Sequence, residues 1–285
     1  MNTAFSLYEI LPTAPLITIV DVGASPGGTP EPYEKLVAEG RARVFAFEPD
    51  PEEHRKLLAH ATSGRTVLAD FVGDGNSGTY YETTQAQTGS LFEPNTPLLA
   101  KFSNLAEKVR TVGTHPVQTH RLDSFSEIPD IDFLKLDVQG AELAVLRGAE
   151  EKLQGCVLVQ TEVEFVALYK EQPLFADIDT HLRAAGFAFH TFVGFGNRCF
   201  RPMMFKRNPN AGMRQMLWAD AVYVRDFMAL EKISNSKLMR LAILLHDTLA
   251  SFDLCTVVLQ ELDRRGGGEI AGAYLRHLTS RPNSP

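Results

Sequence analysis

The stretch Ile17-Thr18-Ile19-Val20-Asp21-Val22-Gly23-Ala24-Ser25-Pro26-Gly27-Gly28 constrains this chain more than any other. Four apolar or β-branched residues ahead of Asp21 read as a central strand covered on both faces. Gly23, Gly27 and Gly28 then allow a sharp turn and a close approach of backbone to ligand. Thr29 reads as a helix N-cap, with Pro30 at the first helical position and Glu31 against the positive helix end. Strand, glycine loop and helix start, in that order, form a site for a nucleotide-containing cofactor.

The rest of the chain alternates in the same way. Residues 16–22 are the first strand and 30–39 the first helix, stopped by Gly40. Residues 43–47 are a second strand ending on Glu48. Asp50 then caps a helix with Pro51 first, Glu53 completing a capping box and Gly64 ending it. A third strand spans 66–72, and the turn-rich 73–78 leads to a short strand at 79–81, which predicts an extra hairpin. Residues 83–115 have no clear rhythm beyond a helix from Thr96 through Leu105. Strands follow at 117–122 and 133–138, a helix at 141–153, a strand at 156–163, a helix at 174–185, and strands at 187–193 and 219–224. This alternation implies an α/β fold with a doubly wound, mostly parallel sheet, because right-handed crossovers cover both faces. Ligands of such sheets lie at the carboxyl ends of the strands, and Asp21, Glu48, Asp70 and Asp137 all fall at or near those ends.

At 285 residues and 44% hydrophobic, the chain can bury a full core. Residues 1–226 read as the cofactor-binding domain and 227–285 as a helical C-terminal appendage. Leu230, Ile233, Leu238, Leu241, Leu244, Leu245, Leu249 and Phe252 follow helical spacing there. Such a face must be covered, by the main domain or by a second copy in a homodimer. Gly266-Gly267-Gly268 precedes a weak last helix and a Pro-Asn-Ser-Pro tail. The net charge of −7 argues against a nucleic-acid partner. No apolar run approaches the ~18 residues of a membrane span, and no signal-peptide pattern opens the chain. Cys156, Cys199 and Cys255 lie too far apart for a disulfide framework or a metal-ligand set, and Cys156 reads as a small core residue. The expected location is the cytoplasm.

Glu48, about 20 residues beyond the glycine loop, suits the two hydroxyls of an adenosine ribose. A dinucleotide would share that feature, but its loop wants G-x-G-x-x-G. Here the spacing differs, and Asp21 precedes it with a negative charge that would repel a pyrophosphate. A carboxylate there suits a cofactor carrying positive charge, such as S-adenosylmethionine, ahead of a dehydrogenase's NAD(P).

The fourth core strand adds a family likeness. Ile131-Asp132-Phe133-Leu134-Lys135-Leu136-Asp137-Val138-Gln139-Gly140-Ala141-Glu142, followed by Leu146-Arg147-Gly148-Ala149, resembles the signature of the FkbM family of S-adenosylmethionine-dependent methyltransferases. Asp21-Val22-Gly23-Ala24, Phe47-Glu48-Pro49-Asp50-Pro51, the 89–95 segment, Arg121-Leu122-Asp123 and the 219–224 strand resemble it too, in order, over residues 15–226. Gln139 stands where the family usually carries Glu. The resemblance implies a Rossmann-like class I methyltransferase fold and O-methylation of a small hydroxylated molecule, sugar-containing or polyketide-like. It implies cofactor contacts from Asp21, Gly23, Ala24, Ser25, Glu48, Pro49, Asp70, Phe71 and Asp137.

A hydroxyl nucleophile must lose its proton, to a base or with the help of a divalent cation, and both routes stay open. Asp137, Glu142 and Glu162 are the catalytic candidates, with Glu164 on the same strand face as Glu162, and His115 and His120 as weaker ones. Glu142 has a plainer reading as a carboxylate favoured by a helix start. Lys135, in an otherwise apolar strand, must find an acidic partner. Residues 83–95 read as a polar lid, and 195–214 as a basic loop with an anionic ligand or only solvent. Gln139 keeps a non-catalytic, partner-binding relative as the alternative, with an NAD(P)-dependent oxidoreductase behind it.

Overall fold

Six consecutive buried residues form β1 (Ile17–Val22). The computed structural model describes residues 5–11, 15–25 and 30–280. The chain continues through α1 (Glu34–Ala38), β2 (Ala42–Phe47), α2 (Pro51–Ala59), β3 (Arg65–Leu68), β4 (Val72–Gly73) and β5 (Ser77–Thr83). It passes through α3 (Thr96–Leu99), α4 (Leu105–Lys108), β6 (Thr111–Gln118) and β7 (His120–Arg121) before β8 (Phe133–Leu136). Then come α5 (Glu142–Arg147), α6 (Glu150–Gly155), β9 (Leu158–Glu164), α7 (Phe175–Ala184), β10 (Phe187–Asn197) and β11 (Met216–Arg225). Three helices, α8 (Asn235–Asp247), α9 (Phe252–Gly266) and α10 (Ile270–Ser280), end the described chain.

Seven strands form one sheet in the order β10-β11-β9-β8-β1-β2-β3. The five from β9 to β3 are parallel, and β11 is antiparallel to both neighbours. This is the doubly wound, Rossmann-like class I methyltransferase architecture that the alternation and the resemblance implied. The connections reverse direction between β1 and β8, so a crevice opens at their carboxyl ends.

Strand alternation divides the core. Ile17 and Ile19 face one layer with Leu36, Val37 and Leu57, while Val20 and Val22 face the other with Leu143, Leu146, Leu153 and Leu182. The C-terminal helices belong to the first layer: Leu238, Leu241, Leu244 and Leu245 are fully buried in one cluster with Phe133, Leu158, Val222 and Val224. Asp132, buried at the entry to β8, anchors them. It takes the Thr18 N–H (2.9 Å) together with Lys237 (2.7 Å) and Arg240 (3.2 Å) of α8. The apolar face of α8 thus packs into one core with this chain's own sheet.

Boundaries differ from expectation for local reasons. Pro30 and Glu31 precede α1, because Glu31 turns to Lys135 (3.4 Å) and Tyr33 turns inward to Asp21. Asp50 caps α2 as expected, but no capping box closes. The Asp50 N–H donates to Glu48 (2.8 Å), and Glu53 pairs with Lys56. The helix ends at Ala59, short of Gly64. The third strand stops at Leu68; Val72–Gly73 instead pairs with His120–Arg121, and β5 pairs with β6 across a long connection rather than in a local hairpin. The helix from Thr96 stops at Leu99. The single helix expected over 141–153 is broken at Gly148, where Gly73 O lies 1.9 Å from the place of a Cβ. Thr29, Gly27, Gly28 and the 282–285 tail lie outside the described residues.

Removing one partner of a buried ion cluster leaves the others uncompensated. Asp132→Ala is expected to lower the unfolding free energy by about 3 kcal/mol, measured by urea denaturation. Unchanged stability would show that Asp132 does not anchor α8.

Candidate active site

A cavity of about 540 Å³ opens where the carboxyl ends of β1, β2 and β8 meet the segment 85–91. Its first wall is a turn of unusual closeness. Gly23 has φ +86°, and a Cβ there would lie 1.9 Å from the backbone oxygen of Asp137. Only glycine lets β1 turn this tightly against the end of β8. The Gly23 and Ala24 N–H groups both donate to Phe47 O (3.0 Å each), and the Asp137 N–H donates to Val22 O (2.9 Å). Three strand ends are tied into one rim.

Carboxylates dominate the lining. Glu31, Glu48, Asp70 and Asp137 line the cavity, against the single cation Lys135. Burial pushes Glu48 up to about 7, against the pull of the Asp50 N–H. Glu31 is likewise pushed up to about 7 by burial, with Lys135 pulling the other way. Beyond Glu48, Phe71 and Tyr80 stand with ring centroids 5.2 Å apart and both line the cavity.

Behind Asp137 lies a hydrogen-bonded relay centred on Gln139. Its amide nitrogen donates to Asp137 Oδ1 (2.8 Å) and to Glu162 Oε2 (2.7 Å). Its amide oxygen is 3.1 Å from Tyr169 OH, which also reaches Thr88 O (2.9 Å). Ser90 Oγ donates to the Gln139 carbonyl (2.7 Å). Gln139 has φ +55°, a left-handed conformation costly for a non-glycine residue, held here by bonds to both ends of the side chain and to the backbone. The polar segment read as a lid is thereby joined to the end of β8.

Gly23, Ser25, Glu48, Pro49, Asp70, Phe71 and Asp137 all line the cavity. Asp21 and Ala24 do not: both are buried behind it. The Asp21 carboxylate accepts from Tyr33 OH and pairs with Lys135 (3.3 Å), its register partner on β8. Its charge was expected to face the cofactor. Glu31, a residue read only as a helix-start carboxylate, lines the cavity instead. Glu142 also lies off the cavity, accepting the Val138 N–H (2.8 Å) to close the turn after β8; burial pushes it up to about 7. Glu162 reaches the site only through Gln139, and burial beside Asp137 and Glu164 holds it well above the usual carboxylate range. Glu164 is buried beside it and shifted the same way. His115 pairs with Glu82 on the exposed β5–β6 ribbon, and His120 lies 3.8 Å from Asp70; neither lines the cavity. Tyr80 and Gln139 line the cavity but were not among the expected site residues, and the 85–91 segment was expected there only as part of a lid. Their only signals were the polar loop composition and the odd residue in the family signature. No group of three or more His, Cys, Asp or Glu side chains among the described residues is arranged to hold a metal ion.

The model of the FkbM methyltransferase domain matches residues 21–189, more than half of the chain. The chain belongs to this family. The 2-O-methyltransferase NoeI of Sinorhizobium fredii is 30% identical over 177 residues, covering 56% of this chain and 69% of that protein. The hexuronic acid methyltransferase AglP of Haloferax volcanii is 29% identical over 146 residues, covering 50% of this chain and 54% of that protein. Among solved structures, magnesium protoporphyrin IX methyltransferase ChlM from Synechocystis PCC 6803, with bound S-adenosylmethionine, matches with TM-score 0.38 at 12% identity. That match covers 75% of this chain and 72% of the other. A Mesorhizobium loti S-adenosylmethionine-dependent methyltransferase matches with TM-score 0.36 at 11% identity, covering 77% and 95%. As an FkbM member, this chain is an S-adenosylmethionine-dependent methyltransferase.

The residues present fit that cofactor. The volume lies in the range of small-molecule sites, the Gly23 turn brings the ends of β1 and β8 together at the cavity wall, and Ser25 Oγ is a buried hydroxyl with no hydrogen-bond partner among the described residues. A lining of four carboxylates and one lysine suits a sulfonium and disfavours a pyrophosphate.

Gly23→Ala is expected to weaken S-adenosylhomocysteine binding by about tenfold or more, because a displaced turn and a left-handed alanine together cost about 1–3 kcal/mol. Calorimetric titration with the folded variant checks this, and unchanged affinity would separate the turn from the cofactor site.

Proposed function

We propose that this FkbM methyltransferase transfers the methyl group to a hydroxyl of a small sugar-containing acceptor. The observation that carries the reading is Asp137: of the three catalytic candidates it alone lines the cavity, at the switch point. The names of the relatives NoeI and AglP, a 2-O-methyltransferase and a hexuronic acid methyltransferase, support a sugar acceptor. No feature of the site favours a non-catalytic relative or a nicotinamide enzyme.

In this reading Glu48 holds the ribose hydroxyls, Asp70 and Phe71 the adenine end, and Gly23, Ser25 and Glu31 the charged end. Bound there, S-adenosylmethionine supplies a sulfonium methyl for in-line displacement. Asp137 takes the acceptor's hydroxyl proton as the new bond forms. The Gln139 amide fixes the carboxylate's orientation, and being neutral it adds no further charge between Asp137 and Glu162. Glu162 does not line the cavity and supports Gln139 rather than acting as base. Glu142 shapes the turn that presents Asp137. Segment 85–91 covers the site and excludes water, so that alignment dominates the rate.

Transfer of labelled methyl to a panel of hexoses, deoxyhexoses and uronic acids tests this. A base-stable methyl ether is the expected product, and a base-labile ester or transfer to no sugar would sink the reading. Asp137→Asn is expected to lower kcat by about 100-fold or more with cofactor affinity changed far less.

Glu48 provides a pH test. Its folded value of about 7 lies above that of the unfolded chain, so the folded protein binds the proton more readily. Stability from this group is therefore full at acid pH and declines as pH rises through 7, while ribose binding needs the ionised form. Cofactor affinity should weaken as pH falls through 7. Glu48→Gln should abolish that dependence, bind weakly throughout, and raise the thermal midpoint at alkaline pH. A wild-type pH profile in the variant would remove Glu48 from the site.

A further inference from the structure

The end of β10 and the segment between it and β11 carry a cluster of exposed apolar side chains. Phe195, Phe200, Met203, Met204, Phe205 and Met213 all stand in solvent, Met203 at 59% exposure. Five basic residues lie among them, and residues 195–214 contain no Asp or Glu, in a chain of net charge −7. An apolar cluster of this kind on a folded protein marks an interaction surface.

The loop is fixed at its base and free at its tip. The Ser103 N–H donates to Cys199 O (2.9 Å), the Arg201 N–H to Lys101 O (2.7 Å), and Ser103 Oγ to Pro209 O (3.0 Å). Arg201 pairs with Glu107, and Arg198 lies over the Trp218 ring at 5.1 Å. Met203, Met204 and Phe205 project between these anchors. Lys206 and Arg207 follow directly, with no carboxylate in ion-pair distance among the described residues. The direction of projection follows from the sheet. Asn197 pairs with Met216 and Trp218 with Glu164, so the loop leaves the edge at which β9 ends, the same edge that holds the cavity.

We propose that this loop docks the enzyme on an anionic lipid bilayer, with Met203, Met204 and Phe205 entering the interface and Lys206, Arg207 and Arg214 meeting lipid phosphates. Charge complementarity selects the anionic partner. The form of the tip selects lipid: it is a run of turns in which every residue from 201 to 210 is exposed. It presents no strand or α-helical face for a folded partner to match, whereas a fluid interface adapts to it. Phe and Met partition into the acyl boundary while Lys and Arg remain at the headgroups, so both kinds of residue are satisfied at one depth. Docking in this orientation turns the cavity edge toward the membrane surface. The proposal does not depend on the acceptor's identity.

Vesicle flotation of the full chain, without cofactor, tests it. Vesicles with roughly one-third phosphatidylglycerol should bind about tenfold or more tightly than pure phosphatidylcholine, with the difference shrinking as salt rises. Lys206→Glu with Arg207→Glu, and separately Met204→Asp with Phe205→Asp, should each weaken that binding by about tenfold or more at an unchanged thermal midpoint. Equal binding to both vesicles, no binding, or full binding by both variants would overturn the proposal. So would a concentration-dependent dimer that Met204→Asp with Phe205→Asp abolishes, since that would seat a second copy on the tip.

Discussion

The Asp21–Lys135 pair is the constraint from which the site follows. A lysine in the middle of a central strand is tolerable only if its charge is met at once, and β1 meets it at the adjacent register position, 3.3 Å away. Tyr33 holds the other carboxylate oxygen, which draws the start of α1 inward and leaves Glu31 free to approach Lys135 from the cavity side. One buried ion pair thus joins the two strands of the switch point, sets where the first helix begins, and bears on which acids line the cavity.

Above that pair, the two strand ends are held so closely that no side chain fits at Gly23. Asp137 leaves β8 at this contact, and Gln139 two residues later ties it to Glu162 on β9 and, through Tyr169 and Ser90, to the segment covering the cavity. A glutamate at 139 would place a third acid between two others. The amide instead donates to both. In this chain the departure from the family's usual residue reads as a neutral bridge, not as damage to the site.

The C-terminal helices are part of the same construction. α8 covers the sheet face that carries Ile17 and Ile19 and is bound to Asp132, one strand from the cavity floor. We propose that residues 227–285 form a helical appendage to the domain of residues 1–226, with one core shared between them.

Much of this was legible in advance. Runs of β-branched and apolar residues separated by helix-length segments dictate a parallel, doubly wound sheet, because such strands must be buried on both faces. Carboxylates at the strand ends marked the cavity's location, and Glu48, Asp70 and Asp137 do line it. Other features could not be read. Asp21 is buried behind the cavity and Glu31 lines it because pairing across strands depends on register, which a single strand's pattern does not contain. Glu142 and Glu162 are separated from the cavity by a turn and an amide whose geometry arises only when β8 and β9 lie side by side. The basic loop at 195–214 was readable as solvated or anion-binding, but the exposure of the apolar Met203, Met204 and Phe205 within it was not, because it depends on how the loop is anchored at 101–103. Local pattern determined the elements and the chemical character of the site. Long-range contact decided which atoms face the ligand, because that depends on distances between residues far apart in the chain.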